Sequence, residues 1–182
     1  MKIISLIFLL LTLFIIGCSS VGWRQFPQPR GENIKNAEQV SLKKVVLEQN
    51  FKGKMGQTIY VPIYSHIYYE NPEKSLDLAA TLSIRNTDLT NPIIVTSVRY
   101  YNSAGNLLKE YLEQAVELDR LASLDFVVNR TDRNGGAGAN FIVEWLSVTT
   151  VSEPIVEAVM ISAVGNQSIS FISRGKLIKN YP

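Results

Sequence analysis

Residues 76–85, Leu76-Asp-Leu-Ala-Ala-Thr-Leu-Ser-Ile-Arg85, carry the clearest alternating pattern in this sequence. Every second residue is apolar, and the residues between them are polar or small. Because successive side chains of a β-strand point to opposite faces of a sheet, the pattern predicts a strand with one buried face. Asn86-Thr-Asp88 and Asn91-Pro92 follow, and these residue types predict a turn directly after the strand.

Short extended segments separated by turn residues recur along the rest of the chain. Further strands are predicted for residues 59–69, 93–101, 107–112, 123–128, 141–148, 156–163 and 168–173. Residues 41–48 fit a first strand or a short helix, and residues 107–118 fit a helix as an alternative. Ser103-Ala-Gly-Asn106 and Val164-Gly-Asn-Gln167 are predicted hairpin turns, because Gly and Asn accept positive φ. The spacing predicts an all-β fold, an immunoglobulin- or fibronectin-III-like antiparallel β-sandwich, with a small β-barrel as the alternative.

The start of the chain differs from the rest. Lys2 precedes an apolar run of 14 residues, Ile3 to Ile16, which is shorter than the roughly 20 residues needed to span a bilayer. Ile15-Ile-Gly-Cys18 closes the run and resembles the lipobox of bacterial lipoprotein signals. The chain is therefore predicted to consist of a lipoprotein signal peptide, a lipidated cysteine with a flexible tether, and a β-sandwich domain, at residues 1–17, 18–40 and 41–182 respectively.

This lipobox resemblance implies a cellular location. It implies cleavage before Cys18, a thioether-linked lipid on that cysteine, and acylation of the new N-terminus by a fatty acid such as palmitate. Two or more acyl chains hold a protein stably on a membrane. Ser19 follows the cysteine where an aspartate would signal inner-membrane retention, so we expect the periplasmic face of the outer membrane if the host has two membranes. Phe26-Pro-Gln-Pro-Arg30 favours an extended tether between lipid and domain.

Composition excludes several classes of function. Removing residues 1–17 from the 182 leaves 165 residues, enough for one domain with its own core. That removal takes away only Lys2 among the charged residues, leaving 17 basic and 16 acidic side chains, and this balance argues against a nucleic-acid partner. Cys18 is the single cysteine, so no disulfide is expected within the domain. We expect no cofactor and no metal.

Four segments resemble the domain of unknown function 3124 family. They are Tyr60-Val-Pro-Ile-Tyr-Ser-His-Ile-Tyr68, Leu78-Ala-Ala-Thr-Leu-Ser-Ile-Arg-Asn-Thr-Asp88, Gly135-Gly-Ala-Gly-Ala-Asn-Phe-Ile-Val-Glu-Trp145 and Glu157-Ala-Val-Met-Ile161. The resemblance spans about residues 56–176. It implies an exported bacterial protein or lipoprotein, and the family supplies no catalytic residues to transfer to this chain.

His66 is the single histidine, and it lies in a tyrosine-rich segment. Tyr60, Tyr64 and Tyr68 would share one strand face with it. A catalytic histidine needs a nucleophile or carboxylate within hydrogen-bond reach, and the sequence does not identify one. A metal site needs three or four ligands, and no suitable spacing of acidic residues supports one. We therefore favour a structural or ligand-contacting role for His66, together with Tyr64 and Tyr68.

A glycine-rich loop, Thr131-Asp-Arg-Asn-Gly-Gly-Ala-Gly-Ala-Asn140, precedes the predicted strand that begins at Phe141. It lacks the lysine and the following helix of phosphate-binding loops. We favour a tight connection that needs glycine for positive φ. The alternative is a recognition loop at one end of the sandwich, in which Asp132, Arg133 and Asn134 supply the contacts.

These observations leave two classes of function. The first is a non-enzymatic binding or accessory module, attached to the membrane through its lipid and facing an envelope protein or ligand. The second is a hydrolase-type enzyme that uses His66 with an unidentified carboxylate. No Gly-x-Ser-x-Gly elbow supports a serine hydrolase. We favour the non-enzymatic module.

The lipidation of Cys18 is directly testable. Cys18→Ala should abolish incorporation of radiolabelled palmitate and leave an unprocessed precursor, because the cysteine sulfur is the acceptor of the first lipid. Ser19→Ala, one residue further on, is the matched control and should label like the wild type. Persistent labelling of the Cys18→Ala protein would show that this prediction is wrong.

Overall fold

The computed structural model describes residues 43–47, 51, 53–164 and 167–181, which form β-strands and no helix. No helix in this part of the chain is long and apolar enough to cross a membrane. The predicted signal peptide and tether lie outside the described residues. The strands are β1 (Lys43–Val45), β2 (Met55–Pro62), β3 (His66–Tyr69), β4 (Asn71–Asp77), β5 (Ala79–Arg85), β6 (Ile93–Tyr101), β7 (Leu107–Glu110), β8 (Ala115–Leu118), β9 (Ser123–Val128), β10 (Asn140–Ser147), β11 (Ile155–Val164), β12 (Gln167–Arg174) and β13 (Lys176–Tyr181).

The strands pair into two main antiparallel sheets. The large sheet has the order β1-β8-β6-β10-β2-β13, with β7 added beside β6, and the small sheet has the order β12-β11-β5-β9. β3 and β4 form a separate two-stranded hairpin. Among the described strands, the two edge strands of each sheet do not pair with each other, so neither sheet closes into a barrel. The predicted antiparallel sandwich is therefore confirmed, and the barrel alternative is wrong.

One apolar cluster fills the space between the two sheets. Val61, Phe141 and Trp145 of the large sheet are buried in it, as are Leu82 and Met160 of the small sheet. The alternation in residues 76–85 is confirmed for β5, where Ala80, Leu82 and Ile84 face inward. Each fully buried large apolar side chain contributes roughly 1.5–3 kcal/mol relative to an exposed one. This burial, and not a cross-link, holds the sheets together.

Two of the predicted strands are each divided in the structure. Residues 59–69 break between β2 and β3, and residues 76–85 break at Leu78, between β4 and β5. The reason is that β2 belongs to the large sheet and β5 to the small sheet, so the two strands diverge. At the breaks, the Leu78 N–H donates to the Ser65 carbonyl at 2.9 Å. Beyond that bond, residues 66–77 pair with each other as a hairpin, which we call the arm.

Other differences concern the edges of the sheets. Residues 107–118 form strands β7 and β8 and no helix, and residues 43–45 form strand β1. The last strand, β13, was not predicted. It follows Gly175, where the chain leaves the small sheet and joins the large one. A Cβ at Gly175 would lie 2.6 Å from Ile59 Cγ2 and 2.7 Å from the Val156 carbonyl oxygen, so only glycine fits this crossing.

The predicted turn after β5 is held by a buried carboxylate. Asp88 Oδ1 accepts hydrogen bonds from the N–H groups of Thr90 and Asn91, at 2.9 and 2.8 Å, and Oδ2 accepts one from the Ser152 N–H at 2.9 Å. Of these, the Ser152 bond has the largest effect, and together they hold the pKa of Asp88 well below its usual range. The carboxylate therefore joins two loops at this end of the sandwich.

Asp88→Asn should lower the melting temperature at neutral pH by several degrees, because an amide can replace only one of the two accepting oxygens. Since the folded pKa of Asp88 is depressed, its contribution is complete above its ordinary value of 3.8 and declines as the pH falls below that value. The difference in melting temperature between the wild type and Asp88→Asn should therefore become smaller at acidic pH. Thermal melts at several pH values measure it, with the exposed Glu113→Gln as control. A difference that stays constant with pH would contradict this role.

Candidate functional site

The arm and the glycine-rich loop, predicted separately, meet at one end of the sandwich. The Ser65 N–H, at the base of the arm, donates to the Gly136 carbonyl at 3.0 Å. Arg133 reaches from the loop to β4, where its Nη2 donates to Ser75 Oγ at 2.8 Å and its Nε lies 3.0 Å from Asp77 Oδ1. Tyr64, His66, Tyr68, Asp132, Arg133 and Asn134, the six residues proposed for binding, therefore belong to one region of the surface.

His66 lies directly opposite Asp77 in the β3–β4 ladder. Residues opposite each other in an antiparallel pair point to the same face, so the imidazole and the carboxylate share one side of the arm. The His66 ring packs edge-on against the Tyr68 ring, with centroids 5.2 Å apart. In this described region, His66 Nδ1 has no hydrogen-bond partner, and no ion pair joins it to Asp77. The histidine is thus near a carboxylate but is not oriented by one.

The tyrosines form an exposed aromatic surface around the arm. Tyr68 and Tyr69, near its tip, are 57% and 50% exposed. Tyr64 lies in the segment between β2 and β3 and packs edge-on against Phe171 of β12, with ring centroids 5.9 Å apart. The predicted single face does not include Tyr60, because that residue belongs to β2 in the large sheet. His66 and Tyr68 do share a face, as their ring contact shows.

The glycine-rich loop is held firmly by neighbouring backbone and by Ser103. The Gly135 carbonyl accepts bonds from the Ser103 N–H at 2.9 Å and from its hydroxyl at 3.0 Å, and the Gly138 N–H donates to Ser103 Oγ at 2.8 Å. The Gly136 N–H donates to the Arg133 carbonyl at 3.1 Å. The N–H groups of Gly136 and Gly138 are therefore already used inside the protein and are not available to bind an anion.

Two glycines in the loop are required by geometry. Gly136 has φ of 75°, in the left-handed region, and a Cβ there would lie 2.5 Å from Ser103 Oγ. A Cβ on Gly135 would overlap the Tyr100 hydroxyl and lie 2.5 Å from Ser65 Oγ. The loop is thus a tight connection, as we favoured from the sequence. It still presents Arg133 and Asn134 to solvent, and the Asp132 carboxylate accepts the Asn134 N–H at 3.0 Å.

A buried hydroxyl pair lies beneath the loop. Tyr100 is 1% exposed, and its hydroxyl is 3.2 Å from Ser65 Oγ. Burial raises the pKa of Tyr100, and the charge of Asp132 raises it further, although the bond to Ser65 opposes both. Sequence reasoning missed Tyr100, Ser65, Ser75 and Asp77 as parts of this region. Asp77 carried one usable signal, because it is the single acidic residue within the alternating stretch.

Two cavities in the described part of the chain lie away from this region. One, of about 390 Å³, is lined in part by Phe51, Met55 and Tyr181, and the other, of about 440 Å³, by Pro154 and Arg174. Neither is lined by His66 or by the glycine-rich loop. Residues 43–47, 51, 53–164 and 167–181 contain no group of three metal-ligating side chains. Tyr68, Arg133 and Asn134 are exposed, so the arm and the loop present a solvent-accessible surface.

A family model described as "Protein of unknown function (DUF3124)" matches residues 56–178. The chain belongs to this family. The matched range runs from β2 into β13 and contains both the arm and the glycine-rich loop, so the region described above is part of the DUF3124 domain. The resemblance noted from four sequence segments is confirmed.

Other comparisons add little. No curated protein matches the chain. A solved structure described as "Crystal Structure of Thermotoga maritima 1070" is similar over 66% of this chain and 92% of its own, with 12% sequence identity and a TM-score of 0.42. That score is too low for the likeness to bear on fold or function.

The loss of stability caused by replacing a turn or loop glycine with alanine should depend on the atoms that the new Cβ would contact. Gly105→Ala is the matched control, because Gly105 has φ of 80° with nothing near its Cβ position, so it should cost only the backbone strain of about 1–2 kcal/mol. Gly136→Ala adds the contact with Ser103, and Gly135→Ala overlaps the buried tyrosine, so both should cost more. Denaturant unfolding measures all three. If Gly135→Ala and Gly136→Ala are no less stable than Gly105→Ala, the tight connection is refuted.

Proposed function

We propose that this protein is a membrane-anchored lipoprotein whose β-sandwich acts as a non-enzymatic binding or accessory module in the cell envelope. The anchor is the lipid on Cys18, left after removal of residues 1–17, and residues 18–40 form the tether. The lipobox and the short apolar run support this proposal. In a host with two membranes, the protein resides on the periplasmic face of the outer membrane.

The observation that carries the binding role is the contact of Arg133 with the arm. It places an arginine on the same face of the arm as the exposed Tyr68, whose partner in the β3–β4 ladder is Ser75. Tyrosine and arginine, together with tryptophan, are enriched among the residues that contribute most of the binding energy at protein interfaces. The loop backbone beneath them is held by hydrogen bonds to Ser65 and Ser103, so little ordering is required when a partner binds.

The chemistry of this surface suits an envelope protein or a polar ligand with an aromatic or apolar part. The Arg133–Asp77 pair is half-exposed, and such pairs contribute only about 0–1 kcal/mol. An acidic group on a partner can therefore take over the guanidinium of Arg133 at small cost. The near-balance of basic and acidic residues in the chain supports a partner other than nucleic acid.

A hydrolase-type activity is the second candidate, and one observation favours it. Asp77 lies opposite His66, so a carboxylate is available on the same face as the imidazole. Two observations weigh against it: His66 packs against Tyr68, and its Nδ1 has no hydrogen-bond partner in the described region. A general base needs to be oriented toward a bound substrate, so the binding module is the better-supported function.

The binding role is tested by in-cell crosslinking followed by identification of captured partners. The double variant Tyr68→Ala/Arg133→Ala should reduce capture by about tenfold, because tyrosine and arginine anchors each cost more than 1 kcal/mol when truncated. Its melting temperature should change by only a few degrees. Lys179→Ala/Tyr181→Ala, which removes an exposed tyrosine and a neighbouring cation on β13, is the matched control. Equal capture by both double variants would contradict the proposed surface.

His66→Gln and Asp77→Asn distinguish the two candidates. For a binding module, any change in the cellular phenotype of these variants should be accompanied by a matching change in partner capture, because His66 and Asp77 lie on the proposed binding surface. Loss of the phenotype with the fold and partner capture intact would favour the enzyme.

A further inference from the structure

The outer face of the small sheet carries an apolar row that crosses all four strands. In register, Ile172 of β12 lies beside Val159 of β11, then Thr81 of β5 and Val127 of β9. The next row contains Ile161 between Ser170 and Ala79. Ile172, Val127 and Ile161 are 60%, 49% and 46% exposed, so nothing in the described chain covers them. Neither row contains a charged residue.

A charged row borders this apolar surface, with its charges placed asymmetrically. Across the same four strands it reads Arg174, Glu157, Ser83 and Asp125. The positive charge lies on one edge strand, β12, and an acidic charge lies on the other, β9. Within the part of the chain that the structure describes, Arg174 and Asp125 make no ion pair.

We propose that this face binds the same face of a second copy of the chain, across a two-fold axis that runs parallel to the strands between β11 and β5. Rotation about such an axis leaves the position of each row along the strand direction unchanged. It reverses the order of the strands in the second copy relative to the first. β12 of one copy then lies over β9 of the other, and β11 lies over β5. A two-fold interface is self-complementary, because each contact occurs twice.

The rows match under this operation. Ile172 faces Val127 of the second copy, and Val159 faces Thr81, so the apolar rows cover each other. Arg174 faces Asp125, which gives two intermolecular ion pairs at the two edges of the interface. Facing sheets pack about 10 Å apart with a rotation of about 30°, and the long arginine side chain can span the resulting offset.

The charges favour a second copy over another partner. An unrelated protein would need its own acidic and basic groups at these two edges, whereas this chain already carries both at the required positions. Four strands spaced about 4.8 Å apart make a small interface, so we expect a weak dimer that forms at micromolar or higher concentration. The surface is separate from that formed by Tyr68 and Arg133, and the proposed function does not require it.

Charge reversal tests this dimer in the full-length protein, purified in detergent and measured by native mass spectrometry over a concentration series. Arg174→Asp alone places two like-charged pairs across the interface, and so does Asp125→Arg alone. Each should raise the dissociation constant by about tenfold or more. The double variant Arg174→Asp/Asp125→Arg should dimerise like the wild type. A mixture of the two single variants should form the mixed dimer in preference to either homodimer.

Lys176→Asp, which makes the same charge change on β13 of the other sheet, is the matched control and should dimerise like the wild type. The altered residues are exposed, and equal circular dichroism spectra and melting temperatures check that each variant is folded. The proposal is overturned if the wild type is monomeric at every concentration, or if the single variants dimerise unchanged. It is also overturned if their mixture gives no mixed dimer.

Discussion

The structure depends on the divergence of β2 and β5 into opposite sheets. These two strands are close in sequence, yet they contribute to different faces of the core. The chain between them must bridge the sandwich at one end, and it does so by pairing with itself as the arm. The bond from the Leu78 N–H to the Ser65 carbonyl closes the base of the arm. That bridge positions Ser65 beneath the glycine-rich loop and Asp77 within reach of Arg133, so one topological constraint produces the candidate surface.

At both ends of the sandwich, buried polar groups form hydrogen bonds with neighbouring loop residues. At one end the Asp88 carboxylate joins two loops through backbone N–H groups, and at the other the Tyr100 hydroxyl contacts Ser65 under the glycine-rich loop. Unpaired buried polar groups are costly, and these contacts therefore specify how the loops sit on the apolar core. A rigid support of this kind holds the backbone beneath the exposed side chains of the arm and loop, which are the side chains proposed to bind a partner.

The proposed binding surface and the proposed dimer fit together geometrically. A two-fold axis parallel to the strands preserves the level of every row, so the arms of the two copies would project from the same end of the dimer. Two copies of one binding surface would then face a partner together. If that partner is itself repeated, the second binding event becomes intramolecular, and overall binding strengthens without any new contact. If the protein is anchored to a membrane as proposed, even a weak dimer there would bind such a partner more tightly than a monomer does.

The sequence by itself determined the all-β class, most strand positions and the turns at residues 86–92 and 103–106, because alternation and turn chemistry are local properties. The predicted turn at 164–167 includes residues 165 and 166, which lie outside the described residues. It also identified the family from four segments, and it singled out His66, Tyr68 and Arg133. Only the tertiary structure showed that residues 59–69 and residues 76–85 are each divided into two strands. The division follows from the assignment of β2 and β5 to different sheets, which is not a local property of the sequence. β13 escaped prediction because its place depends on the crossing at Gly175. The pairing of Arg133 with Asp77, residues 56 positions apart, likewise follows from packing between distant segments, which no local pattern encodes.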